Sequence, residues 1–264
     1  MALTVREMRP CCPQKVAVCS FGRYVLGNDE ELMKYVTSAN IATGFHAGDP
    51  LVLDQTVRWA KEYGVAVGAH VGLPDKQGFG RRRMEISPEE LRTDLIYQLG
   101  AIDGFLKLYG MKLQHVKPHG ILYRMVGEDE TYIDTFLDAI EAYDSSLYIM
   151  LSAGCPALER AEARGLKTAP EVLIDLGYDE KGNWILERVK KSRSPMEVAA
   201  RAVKVVQEGT IDTIDGKQIP IKGCTLCLHG DSPNAAETAS AVRNTLDQNG
   251  IQVVNLRKYF GEEE

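Results

Sequence analysis

The sequence predicts an α/β fold and, within that class, a (β/α) barrel of seven or eight parallel strands in a regular or distorted ring. Three observations carry this expectation. Helix and strand signals alternate from end to end. Gly64, Gly110, Gly165, Gly209 and Gly250 close helical stretches where a left-handed cap is easiest for glycine, and strand-like runs usually follow. No glycine-rich phosphate loop favours an open, doubly wound sheet. At 264 residues and 44% apolar content, the chain can fill one such domain and gives no reason to divide it.

Taken in order, residues 1–14 read as an irregular leader, 15–258 as a single barrel domain and 259–264 as an acidic tail. Strand-like runs fall near 15–19, 38–45, 65–70, 113–118, 147–151, 168–174, 223–229 and 251–255. Helices with one apolar stripe are expected at 51–63, 89–109, 130–142, 196–208 and 235–248. Ser87-Pro88-Glu89-Glu90 is a capping box with proline at the first helical position, so the long helix starts there and 72–86 is a loop. The stretches 179–184 and 212–217, each with a glycine suited to positive φ, read as inserted hairpin turns.

Composition narrows the function classes. The 31 basic and 37 acidic residues give a net charge of −6 without long runs, which argues against nucleic acid or an anionic membrane as partner. No apolar stretch approaches membrane-spanning length and no secretory signal opens the chain, so a cytoplasmic protein is expected. Cys224 and Cys227 form a C-x-x-C, but odd spacing in a strand sends the side chains to opposite faces. Reduced thiols are expected, with neither a disulfide framework nor a thiolate metal site.

Four of the five histidines mark where chemistry belongs: His46, His70, His119 and His229 each end or follow a strand-like run beside a glycine. In parallel α/β folds the carboxyl ends of the strands gather reactive side chains. Period two aims Lys117 and His119 at the same barrel mouth, and an inward lysine requires a substrate carboxylate, a phosphate or a carboxylate partner. The same periodicity puts Asp231 on the face of His229, where it would orient that imidazole or help hold a metal. Asp49 is either a helix cap or a site residue. Arg81 sits in a glycine-bearing loop able to fold over an anionic substrate.

These segments resemble the LamB/YcsF family of lactam-utilisation proteins, which includes the A subunit of prokaryotic 5-oxoprolinase. The resemblance rests on Ser20-Phe21-Gly22-Arg23-Tyr24 with Gly27-Asn28-Asp29-Glu30-Glu31-Leu32, Thr37 through Ala42 running into Gly44 through Pro50, Gly68-Ala69-His70, Gly78-Phe79-Gly80-Arg81-Arg82, His115 through Gly120 with Leu122-Tyr123, and Leu228 through Pro233. It implies a barrel like that of glycoside hydrolases and deacetylases, and hydrolytic opening of 5-oxoproline or 2-pyrrolidinone. It further implies ATP with Mg in a complex with carboxylase-like partner subunits. Catalytic roles then fall to His119, His229, Asp231 and Lys117, and substrate contacts to His46, Asp49, His70, Arg81 and Tyr123; a bound metal is left open. Replacing Lys117 by Met is expected to spare folding and lower turnover. The family's usual acidic Asp-Leu-Asn-Cys-Asp-Leu-Gly-Glu opening has no counterpart here, since Val16-Ala17-Val18-Cys19 passes straight to Ser20-Phe21-Gly22. Two other classes follow: a metal-dependent amide or carbohydrate deacetylase-like hydrolase using His70, His119 or His229, and a non-catalytic binding or regulatory relative.

Overall fold

Six parallel strands follow one another round a barrel: β1 (Gln14–Val18), β2 (Ser38–Ala42), β3 (Ala66–Val71), β4 (Leu113–Pro118), β5 (Tyr148–Ser152) and β6 (Thr168–Leu173). A small antiparallel hairpin, β7 (Thr210–Asp212) with β8 (Gln218–Pro220), stands apart from them. The last strand, β9 (Thr225–His229), pairs with both β6 and β1 and closes the ring at seven. The structure is a computed structural model and describes residues 14–18, 28–187 and 191–262, with the backbone alone for 15–18. Cys11, Cys12, Cys19, the motif around Ser20-Phe21-Gly22 and most of the expected leader lie outside the described residues.

The helices fill the outside of the ring: α1 (Asp29–Met33), α2 (Pro50–Glu62), α3 (Pro88–Leu108), α4 (Gly120–Glu128), α5 (Glu130–Asp144), α6 (Pro156–Ala163), α7 (Pro195–Glu208), α8 (Ala235–Gln248) and α9 (Leu256–Tyr259). The long helix starts where its capping box requires, with Ser87 Oγ accepting from Glu90 N and the Glu90 carboxylate accepting from Ser87 N. Its stripe, Leu91, Leu95, Leu99, Ile102 and Leu106, is buried in the layer between helices and barrel. The five expected cap glycines all adopt positive φ, from 64° to 75°.

The eighth expected strand is corrected. Residues 251–255 are apolar and largely buried, but β9 has both of its edges taken by β6 and β1, leaving no open ladder to join. The run packs instead as irregular chain leading into α9, where Val254 O accepts the Thr37 hydroxyl at 2.9 Å. Residues 259–262 also pack on the barrel: Phe260 stacks on Tyr148 at 5.1 Å and Glu262 pairs with Lys167. Cys155, Cys224 and Cys227 are free thiols, and Cys227 faces Leu173 and Leu176 while Cys224 packs on Tyr148 and Met150. No helix among the described residues is long and apolar enough to cross a membrane.

Candidate active site

The carboxyl end of the barrel collects the strand-end side chains into one place. His70 comes from β3, Lys117 and His119 from β4 and its exit, Tyr123 from the first turn of α4 and His229 from the last residue of β9. With Arg81 from the 72–86 loop, they line a cavity of about 40 Å³. That volume admits little more than a water or an ion. A neighbouring cavity of about 370 Å³ shares Tyr123 and Trp184 as its wall, the two rings meeting edge to face at 5.4 Å.

Lys117 needs a carboxylate, and the structure supplies Glu171. Its ammonium donates to Glu171 Oε2 at 2.8 Å and lies 3.1 Å from Cys227 Sγ, while Tyr123 Oη donates to Glu171 Oε1 at 2.7 Å. All four side chains are buried. Burial on its own would depress the Lys117 pKa, but the partners outweigh it and hold the group above its ordinary value. Burial pushes the Cys227 thiol up to about 12, so that the sulfur beside the Lys117–Glu171 pair is a neutral thiol. Tyr123 is likewise held well above its ordinary value by burial and by Glu171, so it acts as a donor.

His229 is oriented by Asp175. The imidazole Nδ1–H donates to the Asp175 carboxylate at 2.9 and 3.0 Å, and the His229 amide donates to the same carboxylate at 3.0 Å. This corrects the expectation that Asp231 would orient His229. Asp231 instead accepts from Arg81 at 2.6 Å, with both side chains mostly buried. With Nδ1 committed to Asp175, His229 keeps Nε2 as its basic nitrogen.

His46, His70 and His119 form a cluster of their own. His70 Nδ1 lies 3.1 Å from Lys117 O, His119 Nε2 lies 2.8 Å from Phe79 O, and His70 Nε2 lies 3.0 Å from His119 Nδ1. His46 stacks on His119 with ring centres 3.8 Å apart and planes 5° from parallel. Burial chiefly, then His119 and Arg81 for His46, and His119, His46 and Lys117 for His70, hold both well below the ordinary imidazole value. Burial lowers His119 to about 3, with Arg81 adding to it and the Phe79 carbonyl opposing it. Of the described residues, these three offer ligand atoms close enough to hold a metal, all within 4.8 Å of one another.

The glycines beside the histidines are spacers. A Cβ on Gly68 would lie 2.0 Å from His115 Nε2, one on Gly72 would lie 2.3 Å from His46 Nδ1, and one on Gly80 would lie 2.8 Å from both His46 and His119. His115 therefore sits a layer below the site, bonded to Asn40 Oδ1 at 2.8 Å. Phe79 takes φ +54°, a strained value for a non-glycine residue, and its carbonyl meets His119.

With this geometry in place, similarity to known proteins assigns the chain. Residues 18–261 match the LamB/YcsF family. The chain belongs to that family. It is 48% identical over 244 residues to a protein of Thermococcus onnurineus named as the A subunit of 5-oxoprolinase, covering 91% of this chain and 95% of that one. The protein of the same name in Thermococcus sibiricus is 44% identical over 242 residues, covering 90% and 94%. The crystal structure of the lactam utilization protein from Thermus thermophilus superposes with a TM-score of 0.83 at 39% identity, covering 92% of this chain and 98% of that one.

Within a LamB/YcsF chain, the strand-end histidines, Lys117, Arg81 and Tyr123 converge, and His46 stacks directly behind His119. Asp49 does not line the cavity. It caps α2, its Oδ1 accepting from Leu51 N and Val52 N at 2.9 and 3.0 Å. Reading the sequence alone misses Glu171 and Asp175 as site residues. Glu171 has a usable signal, since an acid inside an apolar strand is the natural partner of an inward lysine. Asp175 follows β6 in Ile174-Asp175-Leu176, and nothing local in the sequence ties it to His229. The family's acidic opening motif falls against residues outside those described.

Proposed function

We infer that the chain opens a lactam ring by hydrolysis, acting with partner subunits on 5-oxoproline or a similar small cyclic amide such as 2-pyrrolidinone. The observation that carries this is the Asp175–His229 dyad facing the same cavity as Lys117 and Arg81, in a chain nearly half identical to a protein named as part of 5-oxoprolinase. Amide resonance makes the ring carbonyl a poor electrophile and the nitrogen a poor leaving group. ATP with Mg, supplied in the complex with carboxylase-like subunits, would activate the amide oxygen as a phosphate ester.

The chain's own residues then do the following. His229 Nε2 takes a proton from water as that water attacks the ring carbon, and Asp175 stabilises the imidazolium that forms. Lys117 and Arg81 stabilise negative charge developing on the carbonyl or phosphate oxygens. When the C–N bond breaks, the ring nitrogen leaves as an amine carrying the proton returned by His229, and the acyl phosphate left behind is hydrolysed by a second water that releases phosphate. The balance is lactam, ATP and two waters giving the open-chain amino acid, ADP and phosphate. The larger cavity beyond Trp184 has room for such a substrate, and the smaller one is where its carbonyl would meet the dyad.

The test is a ring-opening assay on 5-oxoproline and 2-pyrrolidinone with the full chain, with and without ATP and the partner subunits. The expected result is product only when all components are present. Turnover by the chain alone without ATP would replace this reading with that of a stand-alone hydrolase, and no turnover by the folded, assembled complex on either ring would overturn it.

A further inference from the structure

His70 and His119 face each other with the wrong nitrogens for a hydrogen bond. A carbonyl oxygen accepts and never donates, so the ring nitrogens that meet carbonyls carry the protons. His70 Nδ1–H donates to Lys117 O at 3.1 Å, and His119 Nε2–H donates to Phe79 O at 2.8 Å. A neutral imidazole has one N–H. The nitrogens left over, His70 Nε2 and His119 Nδ1, are therefore two lone pairs only 3.0 Å apart. The third ring deepens the conflict: His46 is fully buried and neither of its nitrogens has a hydrogen-bond partner among the described residues. Leaving a buried polar group unsatisfied costs about 1–3 kcal/mol.

We propose that His70 and His119, with His46 as third nitrogen donor, bind one divalent first-row transition ion of the zinc class at the barrel mouth. A cation between the two lone pairs turns their repulsion into two bonds. Two imidazole nitrogens at about 2.0–2.1 Å from one tetrahedral ion stand about 3.3 Å apart, within a few tenths of an ångström of the present 3.0 Å between His70 Nε2 and His119 Nδ1. Both rings already donate their other N–H to a backbone carbonyl, the supporting contact that metal-bound histidines make. An all-imidazole donor set selects zinc, nickel, cobalt or copper over magnesium and calcium. The site is independent of the lactam reading, and its readout is metal content rather than turnover.

The experiment is to strip the full chain with chelator, add Zn²⁺ or Co²⁺, remove excess by gel filtration and measure bound metal, thermal midpoint and X-ray absorption at the metal edge. The expected result is one ion per chain, a raised midpoint, and a first shell of imidazole nitrogen at about 2.0–2.1 Å without sulfur. His70→Ala and His119→Ala should each weaken binding by more than the roughly 10–100-fold that loss of a supporting partner costs, while His229→Asn leaves it unchanged. Should the histidine variants fail to fold, the absorption spectrum of the unaltered chain decides by itself. No stoichiometric ion on the folded chain, a thiolate first shell, or unchanged affinity in folded His70→Ala and His119→Ala would overturn the proposal.

Discussion

Lys117 shows most directly how a residue's surroundings change what a substitution does. From the sequence, Lys117→Met preserves the stem and removes only charge. In the fold it takes from the buried Glu171 carboxylate the ammonium that neutralises it, while Tyr123 goes on donating to the other oxygen. Breaking a buried pair from one side costs about 3–5 kcal/mol, so Lys117→Met should lower unfolding free energy by that order in urea titration. Lys117→Met with Glu171→Gln should recover much of it; a single variant as stable as the parent would refute the pairing. A second expectation concerns the metal-free chain and its acid stability. His46 and His70 titrate well below the usual 6.5 and His119 at about 3, so the unfolded chain binds protons that the folded chain refuses. Their contribution is whole above about pH 6.5 and is lost as pH falls towards the folded values, at up to about 1.4 kcal/mol per pH unit for each histidine. Urea midpoints should fall between about pH 6.5 and pH 5, less steeply in His46→Phe; a flat profile would contradict the burial of these rings as neutral groups.

At the scale of elements, the long loop and the start of α4 hold each other. Ile121 N donates to Gly80 O at 2.9 Å, and Gly120, at φ +55°, comes so close that a Cβ there would lie 2.4 Å from Gly80 O. Gly120→Ala should therefore cost about 1–3 kcal/mol and push Arg81 from the cavity, lowering kcat/KM in the assembled enzyme. A variant with parental melting and kinetics would show that the contact is not constraining. Much of this level was legible in the sequence: the capping box, the cap glycines and the hairpin at 212–217 are local signals. The partner of His229 was not. Period two along one strand selects Asp231, but Leu173 pairs with Cys227 across the β6–β9 ladder, and that register carries Asp175 to His229 two residues on. Adjacency across a ladder depends on which strands neighbour each other, and no local pattern encodes that.

For the whole molecule, closure of the ring at seven strands is what makes scattered histidines into one site. The alternation of elements and the strand-end histidines were enough to place His46, His70, Lys117, His119 and His229 at one end of a barrel. The strand count was ambiguous because 251–255 is as apolar as a strand, and only the closure of β9 on β1 excludes it. The ring brings Asp175 and His229 together from positions 54 apart in sequence, and the central claim is that they act as one proton-handling unit. The direct measurement is kcat for ATP-dependent ring opening in the assembled complex with His229→Asn, Asp175→Asn and the double variant. A general base contributes roughly 10²–10⁴-fold, so His229→Asn should lose about that factor, Asp175→Asn a large part of it, and the double variant little more than His229→Asn. Losses that multiply, or a His229→Asn complex at the parental rate, would contradict the account.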